Sequence, residues 1–345
     1  MSRTSRTTST AWVKGIAEML ETVGLDRQMV FNKAGLDLAV LDDPHGRYAT
    51  EALSRLWEVA AAQSGNPAIG LAMSHIARPA SLDVITYAIM SRPNLFAGLD
   101  RLVRYLRIIS DAVILSLQED VDGHWLRMEI FGGDRGIPIQ RVDFILVTLL
   151  TLFRWLTGQH LNPVAVEYTY PAPADLSAYH DVFQCPLRFN AGFDRMMFSN
   201  ADLAVPFPTF NPLLVELHDR YAGEYLDRLD STKISHKICD LVVRHLPDGD
   251  PMRGDIARAM CMSERTLQRR LQEEGTSYQQ LVDETRKELA QRYLRQSQLS
   301  LSQAAYLLGF AEQSTFFRAC KRWFDMSPNQ YRHHFAKHGD SNTEI

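Results

Sequence analysis

The chain has 345 residues, 46% of them apolar and 23% charged, with a formal net charge of −4, which is the make-up of a globular protein with enough apolar mass for two cores. A disulfide frame or zinc site is not signalled, because Cys185, Cys239, Cys261 and Cys320 form no CxxC pair and have no histidine at zinc spacing. The longest apolar run, residues 144–153, is about half the roughly 20 residues needed to cross a bilayer, so no membrane is expected and a reducing cytoplasm suits the cysteines.

Residues 1–10, MSRTSRTTST, are polar and lead into no apolar h-region, since Lys14 follows Trp12 and Val13 at once; they read as a disordered start without a secretion signal. Trp12, Val13, Ile16, Met19, Leu20 and Val23 form one helical stripe that Gly24 stops. Thr50 is expected to cap the next helix and Gly65 to end it, and Asn94 to cap a third. The stretch DAVILSLQEDVDGHWLRMEIF alternates on both sides of Asp122-Gly123 and predicts a hairpin turning there. FGGDRG (131–136) reads as a strand-end turn, followed by a long buried helix over 139–156. Residues 163–170, 186–189 and 195–199 are three more short strands. Residues 11–210 therefore predict an α+β sensor domain, an antiparallel sheet of about five strands with helices.

After VPFPTFNP the character changes. Asn211 and Pro212 pair as N-cap and first turn of a helix over 211–231, a linker and dimerisation element. Residues 232–337 predict an all-α domain, and 338–345 a disordered tail. Charge divides in the same way: residues 1–250 hold 23 basic and 30 acidic groups, whereas residues 251–337 hold 14 and 9. A phosphate-bearing partner therefore suits the C-terminal region alone.

A repeat is visible in this helical region. DIARAMCMSERTLQRRLQEE (255–274) and SQAAYLLGFAEQSTFFRACKRW (302–323) each predict a short helix, a tight turn and a second helix. Gly309 suits the turn of the second copy; Cys261 stands where the first copy would have its glycine. Cys261 and Cys320 are both expected to be small buried hydrophobes. Ser263 caps one helix, and Ser300 with Gln303 forms a capping box. Phe316, Phe317, Cys320, Trp323 and Phe324 would anchor the last helix, leaving Gln313, Ser314, Arg318, Lys321 and Arg322 outside. Amide and guanidinium groups on an anchored helix match the base edges of a major groove. Arg265, Gln268 and Arg269 occupy the equivalent face of the first copy.

Residues 252–331 resemble the double helix-turn-helix domain of the AraC/XylS family of bacterial transcription regulators, most clearly through AAYLLGFAEQSTFFRACKRWFDMSPNQYR. The resemblance implies base contacts by Arg265, Gln268, Arg269, Gln313, Ser314 and Arg318, and phosphate contacts by Ser263, Thr315, Lys321 and Arg332. The N-terminal two thirds resemble the effector domain of the subgroup with ornithine-responsive and virulence regulators, which implies a small-molecule sensor. The partners implied are double-stranded operator DNA, a small organic effector, RNA polymerase and a second copy of the chain, with no cofactor or metal. Tyr87, Tyr105, Trp125 and Tyr168 are the expected lining of the effector pocket, from their density between residues 80 and 170. An alternative keeps DNA binding but makes the first domain a protein-interaction or dimerisation module without a ligand. Enzymatic activity is not expected, since no local nucleophile motif, Walker loop or GxGxxG loop is present.

Overall fold

The computed structural model describes residues 6–75, 83–132, 135–232, 234–295 and 299–339. Residues 1–5, the central Gly133-Asp134 of FGGDRG, and tail residues 340–345 lie outside this set. The chain divides into two compact units, one running to residue 189 and over 193–228, the other taking 190–192 and the chain from 229. The first unit combines sheet and helices and the second is helical, as the hydrophobic patterns predict.

The first unit begins with a strand where disorder was expected. β1 (Thr7–Ser9) pairs antiparallel with β2 (Arg47–Ala49). Its backbone donors find fixed acceptors: the Thr7 amide donates to Asp111 at 2.5 Å and the Ser9 amide to the Ile109 carbonyl at 2.6 Å. That tertiary pairing orders a segment with little apolar content of its own. Helices α1 (Thr10–Thr22) and α2 (Arg27–Ala34) follow, and Gly24 sits at a φ of 81° just past α1.

In α3 (Thr50–Ser64) the N-cap residue is Ala49, so Thr50 does not cap. Its hydroxyl instead donates to the Phe131 carbonyl at 3.1 Å and accepts from Arg141 at 2.7 Å. Gly65 ends the helix at a φ of 63°. After α4 (Asp83–Met90), α5 (Leu95–Tyr105) starts at Asn94, whose side chain accepts from the Ala97 amide.

Strands β3 (Val113–Asp120) and β4 (Gly123–Ile130) form the predicted hairpin, but Asp120 pairs with Gly123, so the loop is Val121-Asp122. Gly123 is needed for another reason. A Cβ there would lie 2.0 Å from the Phe198 carbonyl oxygen on the neighbouring strand. The sheet continues through β5 (Ala165–Glu167), β6 (Leu187–Arg188) and β7 (Asp194–Ser199) in the order β3-β4-β7-β5-β6. All pairs are antiparallel except β5 with β6. That parallel pair departs from the expected sheet because α7 (Ser177–Phe183) carries the chain back as a crossover.

Helix α6 (Ile139–Thr157) covers one sheet face, where Leu126, Met128 and Met196 are buried and Phe153 meets Phe198 edge-on at 5.5 Å. A helix buried nearly all round reads as a continuous apolar run. Helices α8 (Asn200–Leu203) and α9 (Pro212–Thr232) complete the unit. Asp219 ties α9 down: its carboxylate pairs with Arg92 and lies 3.7 Å from Arg101, and its carbonyl accepts from the Tyr105 hydroxyl at 3.3 Å.

The second unit comprises α10 (Ile234–His245), α11 (Arg253–Ala259), α12 (Glu264–Glu273), α13 (Tyr278–Arg295), α14 (Leu301–Leu307), α15 (Gln313–Phe324) and α16 (Pro328–Gly339). Helices α11–α12 and α14–α15 are the two repeats, and α13 joins them. Glu274, just past α12, accepts from the first amides of α10 (Ile234, and Ser235 at 3.1 Å), so an acid sits at a positive helix end.

Candidate nucleic-acid interface and sensor cavity

Each recognition helix is fixed by an apolar face and leaves its polar face outside. In α12, Leu267 and Leu271 are fully buried while Arg265, Gln268 and Arg269 are exposed. In α15, Phe316, Ala319 and Cys320 are buried while Gln313, Ser314, Thr315, Arg318 and Lys321 are exposed. Phe317 is half-buried, its ring edge-on to Phe316 at 6.2 Å. All six expected base-contact residues thus lie on the solvent sides of α12 and α15.

The exposed side chains make surface contacts that water or a ligand can replace, including one in which Ser302 of α14 donates to Gln313 at 3.4 Å. Arg269 pairs with Glu273 one turn on at 3.2 Å, and Arg318 donates to Thr315 at 3.3 Å. The Ser314 hydroxyl donates to Glu312 at 3.1 Å. Such surface contacts are worth about 0.2–1 kcal/mol each. Ser263 caps α12 through the Thr266 amide at 3.2 Å.

Two of the basic groups serve the fold. Arg332 donates to the carbonyls of Leu294 and Leu299, the latter at 2.6 Å, so its guanidinium is committed to holding α16 against the end of α13. Arg322 pairs with Asp283 of α13, whose second carboxylate oxygen accepts from the Trp323 indole at 3.0 Å. Sequence spacing alone cannot separate such a tie from a free phosphate contact.

The turns of the two repeats differ as their sequences do. Gly309 has a φ of 70°, and a Cβ on it would come within 2.5 Å of the Gly249 carbonyl oxygen. Cys261 adopts the same left-handed conformation, with a φ of 52°. Contrary to expectation it is exposed, because the residue at the turn points outward; Cys320 is buried.

The four residues expected to line an effector pocket are not brought together. Tyr87 on α4 is 59% exposed and faces the His218 ring. Tyr105 is buried with its hydroxyl on Asp219. The Trp125 indole donates to Asp120 at 2.9 Å beneath the Arg195 guanidinium, which lies 4.0 Å from the ring centroid. Tyr168 is fully buried and stacks on Phe189 with centroids 5.1 Å apart. For Tyr105, Trp125 and Tyr168 the density of aromatic residues marked core packing, while Tyr87 lies at the surface.

That aromatic cluster encloses an acid. Asp143 of α6 accepts from the hydroxyls of Tyr170 and Tyr179, the latter at 2.8 Å. Burial pushes its carboxyl up to about 7, an effect that the two tyrosine hydrogen bonds oppose.

An apolar cavity of about 30 Å³ does exist in this unit, elsewhere. Its walls include Trp12, Trp57 and Phe144, and its polar lining is Thr8, Ser110 and Arg141. None of the four expected residues lines it. Sequence reading missed Arg141, since a cation beside the start of a helix gives no sign that it faces inward. Among the described residues no group of His, Cys, Asp and Glu could hold a metal, and no helix is long and apolar enough to cross a membrane.

Residues 24–207 match the model for the arabinose-binding N-terminal domain of AraC transcription regulators, and residues 256–334 match a helix-turn-helix domain model. An ornithine utilization regulator of Pseudomonas aeruginosa is 30% identical over 325 residues, covering 93% of this chain and 95% of that one. The chain belongs to the AraC family of transcription regulators. This AraC-family regulator is also 27% identical to the transcriptional regulator VirS of Mycobacterium tuberculosis, over 92% of this chain and 94% of that one. The crystal structure of the transcriptional regulator CdpR from Pseudomonas aeruginosa covers 92% of the regulator and 98% of its own chain, with a TM-score of 0.44 and 20% identity. These relatives are named as regulators. The regulator binds DNA through its helix-turn-helix domain.

Proposed function

We propose that this regulator reads an operator with two recognition helices under the control of a small organic effector held in its N-terminal domain. Arg265, Gln268 and Arg269 of α12 and Gln313, Ser314 and Arg318 of α15 take base edges in the major groove, and Ser263, Thr315 and Lys321 take phosphates. Arg332 is the weakest of the expected phosphate contacts, because carbonyls already occupy it. The observation that carries this reading is the shared two-sidedness of α12 and α15: a buried apolar face opposite exposed guanidinium and amide groups. Effector control is supported by the apolar cavity and by the domain model, whose description names a sugar.

The regulator acts as a homodimer in this proposal, with α9 supplying the contact. Leu213, Leu217 and Tyr221 lie four residues apart on that helix and are 84%, 47% and 50% exposed, a stripe suited to a second copy. Effector binding shifts the population between two arrangements of the paired DNA-binding domains, which in turn changes how RNA polymerase is met at the promoter. A module that binds another protein and no ligand is the lesser reading, because the cavity is then without purpose.

An unbiased selection of duplex DNA by the full chain at moderate salt tests DNA reading. The expected product is an enriched motif with two half-sites about one helical turn apart; recovery of random sequence overturns it. Sedimentation of Leu217→Glu against wild type tests the dimer, which the substitution should dissociate.

A further inference from the structure

Arg141 is a buried cation whose partners are all neutral. It is 4% exposed, and its guanidinium donates to the Thr50 hydroxyl at 2.7 Å, the Ser54 hydroxyl at 3.3 Å and the Thr50 carbonyl at 3.4 Å. No carboxylate stands within ion-pair distance of it among the described residues. A guanidinium has five N–H donors, so these three contacts leave some of the fork unused. Burial pushes the group down to about 10, and it therefore remains charged at neutral pH. A cation kept in an apolar interior without a counter-charge costs several kcal/mol. Core packing would be better served by a methionine or leucine at this position.

The same side chain lines the cavity. It shares that lining with Trp12, Trp57 and Phe144, with Phe144 5.4 Å from Trp12 and 5.0 Å from Trp57 between ring centroids. The two other polar lining groups are already engaged: the Thr8 and Ser110 hydroxyls are 2.9 Å apart and bond each other. A sugar would bring several hydroxyls to a wall with almost nothing left to receive them, and each unmet one costs roughly 1–3 kcal/mol. One unmatched cation within an aromatic and aliphatic lining instead defines a guest with one anionic end and an apolar body.

We infer that this cavity is the effector site and that its ligand class is a small organic carboxylate, with the carboxylate paired to Arg141 and the apolar body against Trp12, Trp57 and Phe144. The inference rests on the effector-controlled reading above. Bidentate pairing suits a planar guanidinium fork. In the present closed form the cavity, about 30 Å³, has room for little more than a water-sized group. The acid therefore enters by displacing wall side chains. Leu106 and Ile109 are among those walls and follow Tyr105, whose hydroxyl bonds α9. Displacement at the cavity thus reaches the helix proposed to pair two copies.

The test uses thermal unfolding of the full-length protein with hexanoate and phenylacetate, against hexanamide, L-arabinose and L-ornithine. At saturation at least one of the two acids should raise Tm by about 5 °C or more, while hexanamide should do nothing. Arg141→Met should bind that acid roughly tenfold or more weakly and, without ligand, be at least as stable as wild type. Equal binding of acid and amide, unchanged affinity in Arg141→Met, or no shift with either acid overturns the inference; the acid and amide comparison decides even if the variant fails to fold. A shift with arabinose alone sinks the carboxylate class, and one with ornithine, a carboxylate with a cationic tail, sinks the apolar body; either leaves effector control standing. A protein that selects DNA yet responds to none of these compounds refutes the inference while DNA reading survives.

Discussion

Arg286 of α13 donates to the carbonyl oxygen of Gly309 at 3.1 Å, inside the turn of the second helix-turn-helix. The same guanidinium reaches the Leu308 carbonyl and the Asp250 carboxylate, each at 2.8 Å, and lies 4.7 Å from the Phe310 ring centroid. One buried cation thereby holds the turn against the helix that joins the two repeats. The turn carbonyls at a helix C-terminus welcome it.

Gly309→Ala should break this turn. Its φ of 70° disfavours an L side chain by about 1–2 kcal/mol, and the new Cβ meets backbone at 2.5 Å, where nothing can swing aside. A loss of at least about 2 kcal/mol in urea unfolding, with weakened operator binding, is the expected outcome; an unchanged midpoint contradicts this account.

Cys261→Gly should act in the opposite direction. Cys261 holds a left-handed φ of 52° with an exposed side chain, so removing its Cβ relieves strain and leaves no cavity. The net gain should be about 0.5–1 kcal/mol, reduced by the greater freedom of glycine in the unfolded chain. Denaturation midpoints of the two forms measure it, and a lower midpoint for the glycine form refutes it.

Base and phosphate contacts should separate by their salt response. Arg269→Ala or Arg318→Ala should cost roughly 1–3 kcal/mol on the operator and relax preference at one base position, whereas Lys321→Ala should weaken all duplexes alike and lower the salt slope by about 1. Binding isotherms on operator and random DNA at several salt concentrations distinguish the two. Equal losses on both duplexes for the two arginines would remove them from base reading.

Asp143 should make stability depend on pH with a definite sign. Its carboxyl, near 3.8 when unfolded and about 7 when buried, binds its proton more tightly in the native state. That contribution is fully present below about pH 4 and disappears as pH rises through 7. Asp143→Asn cannot ionise, so the variant should gain on wild type between pH 5 and 8, by an amount on the order of 2–4 kcal/mol. Unfolding free energies of both proteins across that range check it; a constant difference shows that Asp143 does not titrate there.

Local spacing was enough to establish the helices, most of the strands and the two-sided recognition helices, because i, i+3, i+4 patterns, caps such as Asn94 and Ser263, and turn glycines act over a few residues. The repeated unit also lay open in the sequence, since each copy must bury its own apolar face at the same positions. Tertiary structure alone decided which distant groups meet. It ordered Thr7–Ser9 through acceptors about a hundred residues away, made β5 and β6 parallel through α7, and engaged Arg332 on carbonyls. It also turned Arg141 into an apolar interior and dispersed Tyr87, Tyr105, Trp125 and Tyr168 among separate clusters. A side chain's type and neighbours in sequence do not say whether it faces water or core; packing of remote elements around it does, and desolvation then sets what its charge can do.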